Sequence, residues 1–316
     1  MRRGVGIVLI GLGVFLVVLA ALLRFTVVPA IAKAPLSPGE DTGGVTQTDQ
    51  NGVAAVLLDP ATLTERTDVP LTATRFTRGD VPASQTSEAL ADDLAIYESF
   101  IRTEDNTGTV VTASTIRVAF DRVTSELSNC CGANYDGQEI EFAGINPLKF
   151  PMFTEPKEYR YFDATLEEAV PIQYVGTEDL EGLSVYRFEQ TIEARQIGTL
   201  EVPGDLVGFP LPTFVAPRYY ANERTLWVEP TTGAIVKGEE RQVQTLRGPD
   251  GTDKVTVIDA VVGTSASEVS EGVSTASSLA SQIRLFNDTL PLIGGIVGIV
   301  LLVVGIILVA IRPRRA

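Results

Sequence analysis

The chain has 316 residues, with 40 acidic and 25 basic side chains, no histidine and a formal net charge of −15 at pH 7. All the acidic residues lie between Glu40 and Asp288, so the middle of the chain repels polyanions, which excludes nucleic acid as a partner. The absence of histidine excludes Ser-His-Asp and Cys-His catalysis and histidine metal sites.

The first predicted element is a transmembrane helix over residues 4–24. Residues 4–23 are uncharged and mostly apolar, and a helix of about 20 such residues crosses a hydrocarbon core of about 30 Å. Arg2 and Arg3 precede this run and place the short tail 1–3 in the cytoplasm. A cleaved signal peptide is the alternative, because Ala30-Ile31-Ala32 has the small-x-small pattern of a cleavage site.

An extended stalk over residues 25–52 follows, because residues 33–52 are rich in Pro, Gly, Asp and Thr. Residues 53–263 then form short runs of β-branched and aromatic residues between turn residues. This pattern predicts a mainly β domain, built as an antiparallel sheet, an open barrel or a sandwich. The expected strands are 53–58, 71–78, 95–101, 114–120, 138–145, 158–164, 169–175, 184–192, 196–202, 224–230, 234–246 and 254–262.

Two turn signals predict hairpins within this domain. Residues 230–233, Pro-Thr-Thr-Gly, separate two expected strands, and residues 178–182 separate two more. After the last strand, residues 264–289 have apolar positions at helical spacing, which predicts a helix that leads to the membrane.

The second membrane anchor is predicted over residues 290–311, again uncharged and apolar. The basic tail 312–316 follows it, so both termini are expected in the cytoplasm and the central domain outside the cell membrane. Small residues recur along both anchors, which lets helices pack closely with each other or with another membrane protein. The glycines concerned are Gly4, Gly6, Gly11 and Gly13 in the first anchor and Gly294, Gly298 and Gly305 in the second.

The two cysteines, Cys130 and Cys131, are adjacent in the sequence. Thiols outside the membrane tend to be oxidised, so we predict a structural vicinal disulfide. A redox switch and pairing with another chain are the alternatives. Two cysteines without histidine do not make a zinc site, and no calcium-binding or cofactor motif is present, so no metal or cofactor is predicted.

Two loops, 145–157 and 203–217, combine prolines with aromatic residues outside the alternating strands. We predict that they lie together and border an apolar cavity, where they form a ligand-binding or membrane-contacting surface. Ordinary packing in the core is the alternative for each of their side chains. The residues of this candidate surface are Phe150, Met152, Phe153, Phe209, Leu211 and Phe214.

Three segments together resemble a known family. The order is KFPMFTEPKEYRYFDAT, then a strand with Gly182, Leu183, Tyr186 and Phe188, then RTLWVEPTTGAIVKGEE. With an anchor at each end of the chain, this order resembles the actinobacterial porin PorA family over nearly the whole length. The resemblance implies a two-anchor envelope protein and brings no catalytic residues. In topology alone, the chain is similar to class B scavenger receptors, which conduct lipids through a tunnel.

These observations predict a non-catalytic membrane protein with an acidic β-rich domain that binds or transfers a lipid, a glycolipid or another apolar ligand of the envelope. A structural or scaffolding protein and an oligomeric porin-like channel component are the alternatives. An enzyme is not expected, since no nucleophile motif or phosphate loop is present and acidic pairs are too common here to indicate a site.

Overall fold

The structure is a computed structural model that describes residues 2–37, 44–47 and 55–311. The chain divides into two compact units. The helix-pair unit consists of Met1–Lys33 and Ser277–Ala316, and the β unit consists of Ala34–Ala276. The predicted C-terminal tail 312–316 and the stalk residues 38–43 and 48–52 lie outside the described residues.

The helices include the two predicted anchors, both apolar enough to span a membrane. The first helix continues past residue 24 through a π-helical turn at Leu23–Val27, so the beginning of the predicted stalk is helical. A second π-helical turn at Leu285–Thr289 precedes the last helix. The helices are α1 Arg2–Leu22, α2 Val28–Ile31, α3 Val81–Ser84, α4 Ser87–Ala91, α5 Ala266–Arg284 and α6 Leu290–Ala310.

Glycines determine how α1 and α6 pack in the helix-pair unit. A Cβ atom added to Gly13 would lie 2.7 Å from the carbonyl oxygen of Gly298, and one added to Gly6 would lie 2.9 Å from that of Gly305. The two helices therefore run antiparallel, with their backbones in direct contact at the glycines. A Cβ atom added to Gly11 or to Gly4 would have no other atom of the described residues within 4 Å. Of the four glycines of α1, therefore, only Gly6 and Gly13 contact α6.

We expect Gly13→Leu to separate the two helices, because the leucine side chain would overlap the backbone of α6. The helix contact can be measured by cross-linking Ala20→Cys to Gly294→Cys, since these positions place Cβ atoms about 3.7 Å apart, within the range of a disulfide. With Cys130 and Cys131 replaced by serine, Gly13→Leu should slow this cross-link by about tenfold or more, which corresponds to about 1.4 kcal/mol. Gly11→Leu is the matched control, and equal rates for both leucine variants would contradict the prediction.

The β unit contains a single sheet that is antiparallel throughout its named strands. Its main strand order is β7-β6-β5-β4-β1-β14-β13-β12-β11-β10-β9, with β2 on β14, β3 on β2 and β8 on β6. The strands are β1 Gly44–Gln47, β2 Ala55–Leu58, β3 Glu65–Val69, β4 Leu71–Gly79, β5 Leu94–Asp105, β6 Val110–Asp121, β7 Leu127–Ser128, β8 Asn134–Tyr135, β9 Tyr159–Asp163, β10 Glu168–Leu180, β11 Leu183–Pro203, β12 Thr213–Glu229, β13 Ala234–Arg247 and β14 Asp253–Thr264.

The sheet is rolled so that its two ends meet across residues 144–146. On one side, the amide of Leu127 donates to the carbonyl oxygen of Gly144 at 2.9 Å. On the other side, the amide of Ile145 donates to the carbonyl oxygen of Arg160 at 2.7 Å. Gly144 permits this approach, since its φ is +71° and an added Cβ would lie 2.3 Å from the Arg160 carbonyl oxygen.

The hydrophobic core joins strands from both ends of the rolled sheet. Phe162 of β9 packs with Tyr97 of β5 and Phe120 of β6, although these strands are far apart in the sheet order. On the outer face of the sheet, Trp227 packs against Val269 and Val273 of α5. The expectation of a mainly antiparallel β fold with a helix at each end is therefore confirmed.

Several local expectations differ from the structure. Residues 138–145 form no strand, because their hydrogen bonds serve turns and the bridge at Ile145. The expected strands 184–192 and 196–202 are one bent strand, β11, whose register shifts at Ile192/Arg195 and Gln196/Gly198 mark bulges. The hairpin at 230–233 is confirmed. The predicted turn at 178–182 is shorter than expected, because strand pairing continues to Leu180 and Leu183 and leaves a two-residue turn. Its residues, Glu181 and Gly182, both have positive φ.

Candidate functional site

The even-numbered residues of β12 line the inner face of the rolled sheet. Their character changes along the strand, because Leu226 and Val228 belong to an apolar cluster near the closure, whereas residues 218–224 carry polar groups. Because side chains alternate across a strand, Arg224 faces inward beside its register partners Gln190 on β11 and Glu240 on β13.

Arg224 is the centre of a buried polar cluster. Its guanidinium lies 2.5 Å from a carboxylate oxygen of Glu240 and 3.1 Å from one of Asp163. The side chains of Arg224 and Asp163 are 11% and 1% exposed. Asp163 belongs to β9, three places from β12 in the sheet order, and also accepts a hydrogen bond from the Tyr220 hydroxyl at 3.0 Å. The curvature of the sheet therefore brings these groups together.

The cluster keeps its charges because they are paired. Burial by itself would lower the pKa of Arg224, but the carboxylates of Glu240 and Asp163 outweigh it and raise that pKa. Burial also opposes ionisation of Glu240, yet Arg224 lowers the pKa of this carboxyl below its ordinary value. A buried charge of this kind is stable only with its partner present.

Water reaches part of this inner face. The side chain of Glu240 is 31% exposed although it pairs with buried Arg224. Arg75 of β4 is exposed, and its charge adds to that of Arg224 in lowering the pKa of Glu240. Burial raises the pKa of Tyr161, and the charges of Arg224 and Arg75 oppose that rise. Tyr161 lies on β9, at the far end of the sheet order from β4, so Arg75 acts across the interior of the rolled sheet.

Two polar atoms of β12 have no hydrogen-bond partner among the described residues. They are the buried Nε of Arg218 and the Oδ1 of Asn222, both on even-numbered positions. Arg218 still donates through Nη2 to Gln244, and Asn222 through Nδ2 to Glu240. Buried polar atoms are nearly always satisfied, so these two are exceptions, and both lie on the polar part of the inner face.

The loop 145–157 is fixed to the β12–β13 turn. The amides of Phe150 and Thr154 donate to the carbonyl oxygens of Gly233 and Pro230 at 2.9 and 2.7 Å. The Lys149 Nζ donates to the carbonyl oxygens of Phe150 and Thr232 at 2.8 and 2.7 Å. Two of the segments that carry the family resemblance are therefore in direct contact.

Buried groups support this attachment. Glu229 is fully buried, and one of its carboxylate oxygens accepts from the Thr232 amide and hydroxyl at 2.7 and 2.8 Å. Burial lowers the pKa of Lys149 to about 7, with Glu229 acting in the opposite sense. The ammonium of Lys149 therefore titrates near neutral pH, far below the range of an exposed lysine.

We expect the stability that Lys149 confers to rise with pH. Between about pH 7 and pH 10.5 the unfolded chain holds a proton on Lys149 that the folded chain has released, so proton linkage favours folding as the pH increases. Relative to Lys149→Met, the free energy of unfolding of the wild type should rise by about 2–4 kcal/mol across this interval. Urea unfolding at several pH values measures the difference, and a difference that stays constant with pH would contradict the prediction.

The structure separates the predicted residues of loop 145–157. Phe150 is fully buried, with its ring centroid 4.7 Å from that of Phe188, and Met152 is also buried. Phe153 is 41% exposed. Phe150 and Met152 therefore lie in the core, and Phe153 has the accessibility that a ligand-binding or membrane-contacting residue needs.

The residues of loop 203–217 lie elsewhere. Phe209 and Phe214 are half-buried with ring centroids 4.9 Å apart, and Leu211 is 59% exposed. Phe214 is the second residue of β12, whereas Phe150 packs against Leu226 near the other end of that strand, about 40 Å away along an extended strand. The prediction that the two loops lie together is therefore wrong, because β12 is long enough to separate them.

The described residues also form two shallow depressions, of about 270 and 290 Å³. The first lies over β11, β12 and β13 and includes Glu193, Tyr219 and Arg241, and the second includes Glu168 and Arg195. None of the six predicted surface residues lines either depression, so neither of them is the expected apolar cavity.

Cys130 and Cys131 form a vicinal disulfide in the structure. Cys131 has a φ of +60° and Gly132 a φ of +75°, so a tight left-handed turn follows the bond. Arg117 donates to the carbonyl oxygen of Cys131 at 3.4 Å. Both cysteines pack against the small core cluster beside α3 and α4.

Sequence reasoning missed the Arg224 cluster and the Lys149–Glu229 attachment. Asp163, Arg224 and Glu240 are ordinary members of an acidic, strand-rich sequence and do not form a motif. One partial signal was available, since Arg224 and Glu239 lie at equal distances from the predicted turn 230–233 and simple hairpin pairing would place them opposite each other. In the structure, an irregularity between Trp227 and Val228 shifts the register by one residue and makes Glu240 the partner of Arg224 instead.

Comparisons with known proteins identify the family. The family model described as Porin PorA matches residues 5–307. Among curated proteins, the chain is similar to a Porin PorA of Corynebacterium resistens, 26% identical over 79% of this chain and 78% of that protein. A Porin PorA of Corynebacterium amycolatum is 25% identical over 76% of this chain and 77% of that protein. The resemblance predicted from the three segments is therefore confirmed, and the chain belongs to the porin PorA family.

Proposed function

We propose that this protein is a non-catalytic, two-pass protein of the cell membrane that acts as a porin-like component for small hydrophilic solutes. The observation that carries the proposal is the polar inner face of the rolled sheet, where Arg224, Glu240 and Asp163 lie together. A lipid conduit is lined by apolar side chains, because each CH₂ group exposed to polar surroundings costs about 0.8 kcal/mol. Arg224 and Asp163 are buried, but solvent reaches Glu240, which is 31% exposed, and Arg75, and these charged side chains favour a polar solute instead.

The names of the relatives agree with this role, since both are called Porin PorA. Each chain supplies two apolar helices, which carry no polar stripe that would line a water-filled path. The proposal is therefore that several copies of this chain together form the path across the bilayer. The proposed topology has both termini in the cytoplasm and the β unit outside, as the arginines that flank the two anchors indicate.

Arg75 and Arg78 provide a matched pair for testing conduction. They lie on opposite faces of β4, with Arg75 directed to the interior and Arg78 exposed on the outside. The full-length protein in planar bilayers should conduct small ions, and Arg75→Glu should shift the reversal potential under a salt gradient toward cation selectivity. Arg78→Glu should leave it unchanged. Absence of conductance, or equal shifts in the two variants, would contradict the proposal.

A second candidate function is binding of an apolar envelope ligand such as a lipid or glycolipid. It is favoured by the exposed apolar residues Leu200, Leu211 and Val215 around the β11–β12 hairpin end. Mass spectrometry of co-purified lipids tests it, with Leu211→Asp as the variant and Leu90→Asp as a control of similar exposure in α4. Stoichiometric lipid that only Leu211→Asp removes would support this function.

The orientation is tested separately by labelling intact cells, with Cys130 and Cys131 replaced by serine. Cysteine at Ala316 should resist a membrane-impermeant thiol reagent, and cysteine at Thr107 should react. Equal labelling of the two positions would contradict the proposed topology.

A further inference from the structure

The vicinal disulfide does not act as a long-range covalent link. A disulfide stabilises a fold mainly by closing a loop of the unfolded chain, and this one joins residues with a sequence separation of 1. The loop around it has its own attachments, because the Asn129 side chain accepts from the Phe142 amide at 2.7 Å and donates to the Phe142 carbonyl oxygen at 3.0 Å. A chemical role of the two sulfurs is therefore the better explanation.

A carboxylate lies beside the two sulfurs. One oxygen of Glu88 and the Sγ atoms of Cys130 and Cys131 all lie within 4.8 Å of one another. Glu88 is exposed on α4, and both cysteines are half-buried, so the group opens to solvent on one side. In a tetrahedral zinc site with Zn–S bonds of about 2.3 Å, two thiolate sulfurs lie roughly 3.8 Å apart, which adjacent cysteines can reach once the S–S bond is broken.

The surrounding charges are compatible with a bound cation. Arg117, which donates to the carbonyl oxygen of Cys131, forms ion pairs with Asp80 at 2.9 Å and with Glu98 at 2.5 Å. These two carboxylates therefore compensate the positive charge of Arg117. Glu88, on α4, places a third carboxylate beside the sulfurs.

We propose that Cys130, Cys131 and Glu88 form a binding site for a thiophilic divalent cation of the zinc class, available only after the disulfide is reduced. A phosphine or dithiol reductant supplies two electrons to the S–S bond and is itself oxidised, and two protons convert the separated sulfurs to thiols. Metal binding then releases these protons and forms two metal–sulfur bonds and one metal–oxygen bond. In the oxidised state the sulfurs are joined to each other and the site does not bind the metal.

The test uses the full-length protein in detergent, reduced with a phosphine, and Cd²⁺ as the probe. Titration should produce the ultraviolet thiolate-to-cadmium charge-transfer band with about one ion per chain, accompanied by proton release. The oxidised protein and Cys130→Ser should show no such band. Glu88→Gln should weaken the affinity by about tenfold or more, which a merely structural role of the carboxylate would not do.

Glu181→Gln, at the tip of the β10–β11 hairpin, is the control carboxylate and should bind Cd²⁺ as the wild type does. Glu88 is exposed, so its substitution leaves the packing unchanged and the comparison does not depend on folding. Cd²⁺ binding that is no tighter in the reduced wild type than in Cys130→Ser would overturn the proposal. Unchanged affinity in Glu88→Gln would overturn it as well, because the carboxylate would then not be a ligand.

Discussion

Arg224→Met is expected to lower the free energy of unfolding of the β unit by about 3–5 kcal/mol. The substitution keeps most of the side-chain volume but leaves Asp163, which is 1% exposed, and Glu240 without their cation. Two neighbouring carboxylates in a poorly solvated interior repel each other, and their desolvation is no longer compensated. Urea unfolding followed by the fluorescence of Trp227, the only tryptophan, measures the change.

Arg195→Met is the matched control. Arg195 pairs with Glu168 at 2.8 Å, but both side chains are at least half exposed, so this ion pair should contribute about 1 kcal/mol or less. Combining Arg224→Met with Asp163→Asn and Glu240→Gln should restore part of the lost stability, because the uncompensated charges are removed. Equal destabilisation by Arg224→Met and Arg195→Met would show that the cluster is not buried as described.

Gly233→Ala is expected to have an effect of similar size, about 3 kcal/mol or more, because it combines backbone strain with a steric clash. Gly233 has a φ of +71°, and an added Cβ would lie 2.2 Å from the carbonyl oxygen of Phe150 and 2.4 Å from that of Pro151. Relief of this clash requires loop 145–157 to leave the β12–β13 turn. That movement would break the hydrogen bonds of Phe150 and Lys149 and expose the Phe150 ring.

Gly182→Ala separates these two contributions. Gly182 has a φ of +86° and nothing within 4 Å of an added Cβ, so this variant carries the backbone cost alone, about 1 kcal/mol. The difference between the two alanine variants measures how strongly the loop is attached to the turn. If Gly233→Ala costs no more than Gly182→Ala, the loop is free to move away, and residues 150–154 do not depend on the turn for their position.

The two proposed sites differ in the kind of observation that supports them. The polar inner face depends on the curvature of the whole sheet, so a porin-like role would be shared by chains that fold in the same way. The Cys130–Cys131–Glu88 site depends on one loop and one short helix. Its proposed metal binding is independent of conduction, and either experiment can fail without affecting the other.

The sequence alone determined the features that depend on neighbouring residues. Two uncharged apolar runs are sufficient to predict the end helices, because hydrophobic length is a local property. Period-two alternation and glycine-containing turns likewise predicted most strands and the hairpin at 230–233, since each is formed by residues close in the chain. The adjacency of Cys130 and Cys131 also suggested the bond that the structure contains.

Only the tertiary structure decided which distant segments meet. The pairing of Asp163 with Arg224 requires the sheet to roll until β9 faces β12, and no pattern within either strand encodes that curvature. The burial of Phe150 and the exposure of Phe153 were equally inaccessible from the sequence, because both are phenylalanines in one loop and only the fold brings the rings of Tyr161 and Phe188 against the first. The long strand β12 separates the two loops for the same reason: local patterns identify elements, whereas strand pairing and sheet curvature determine their neighbours.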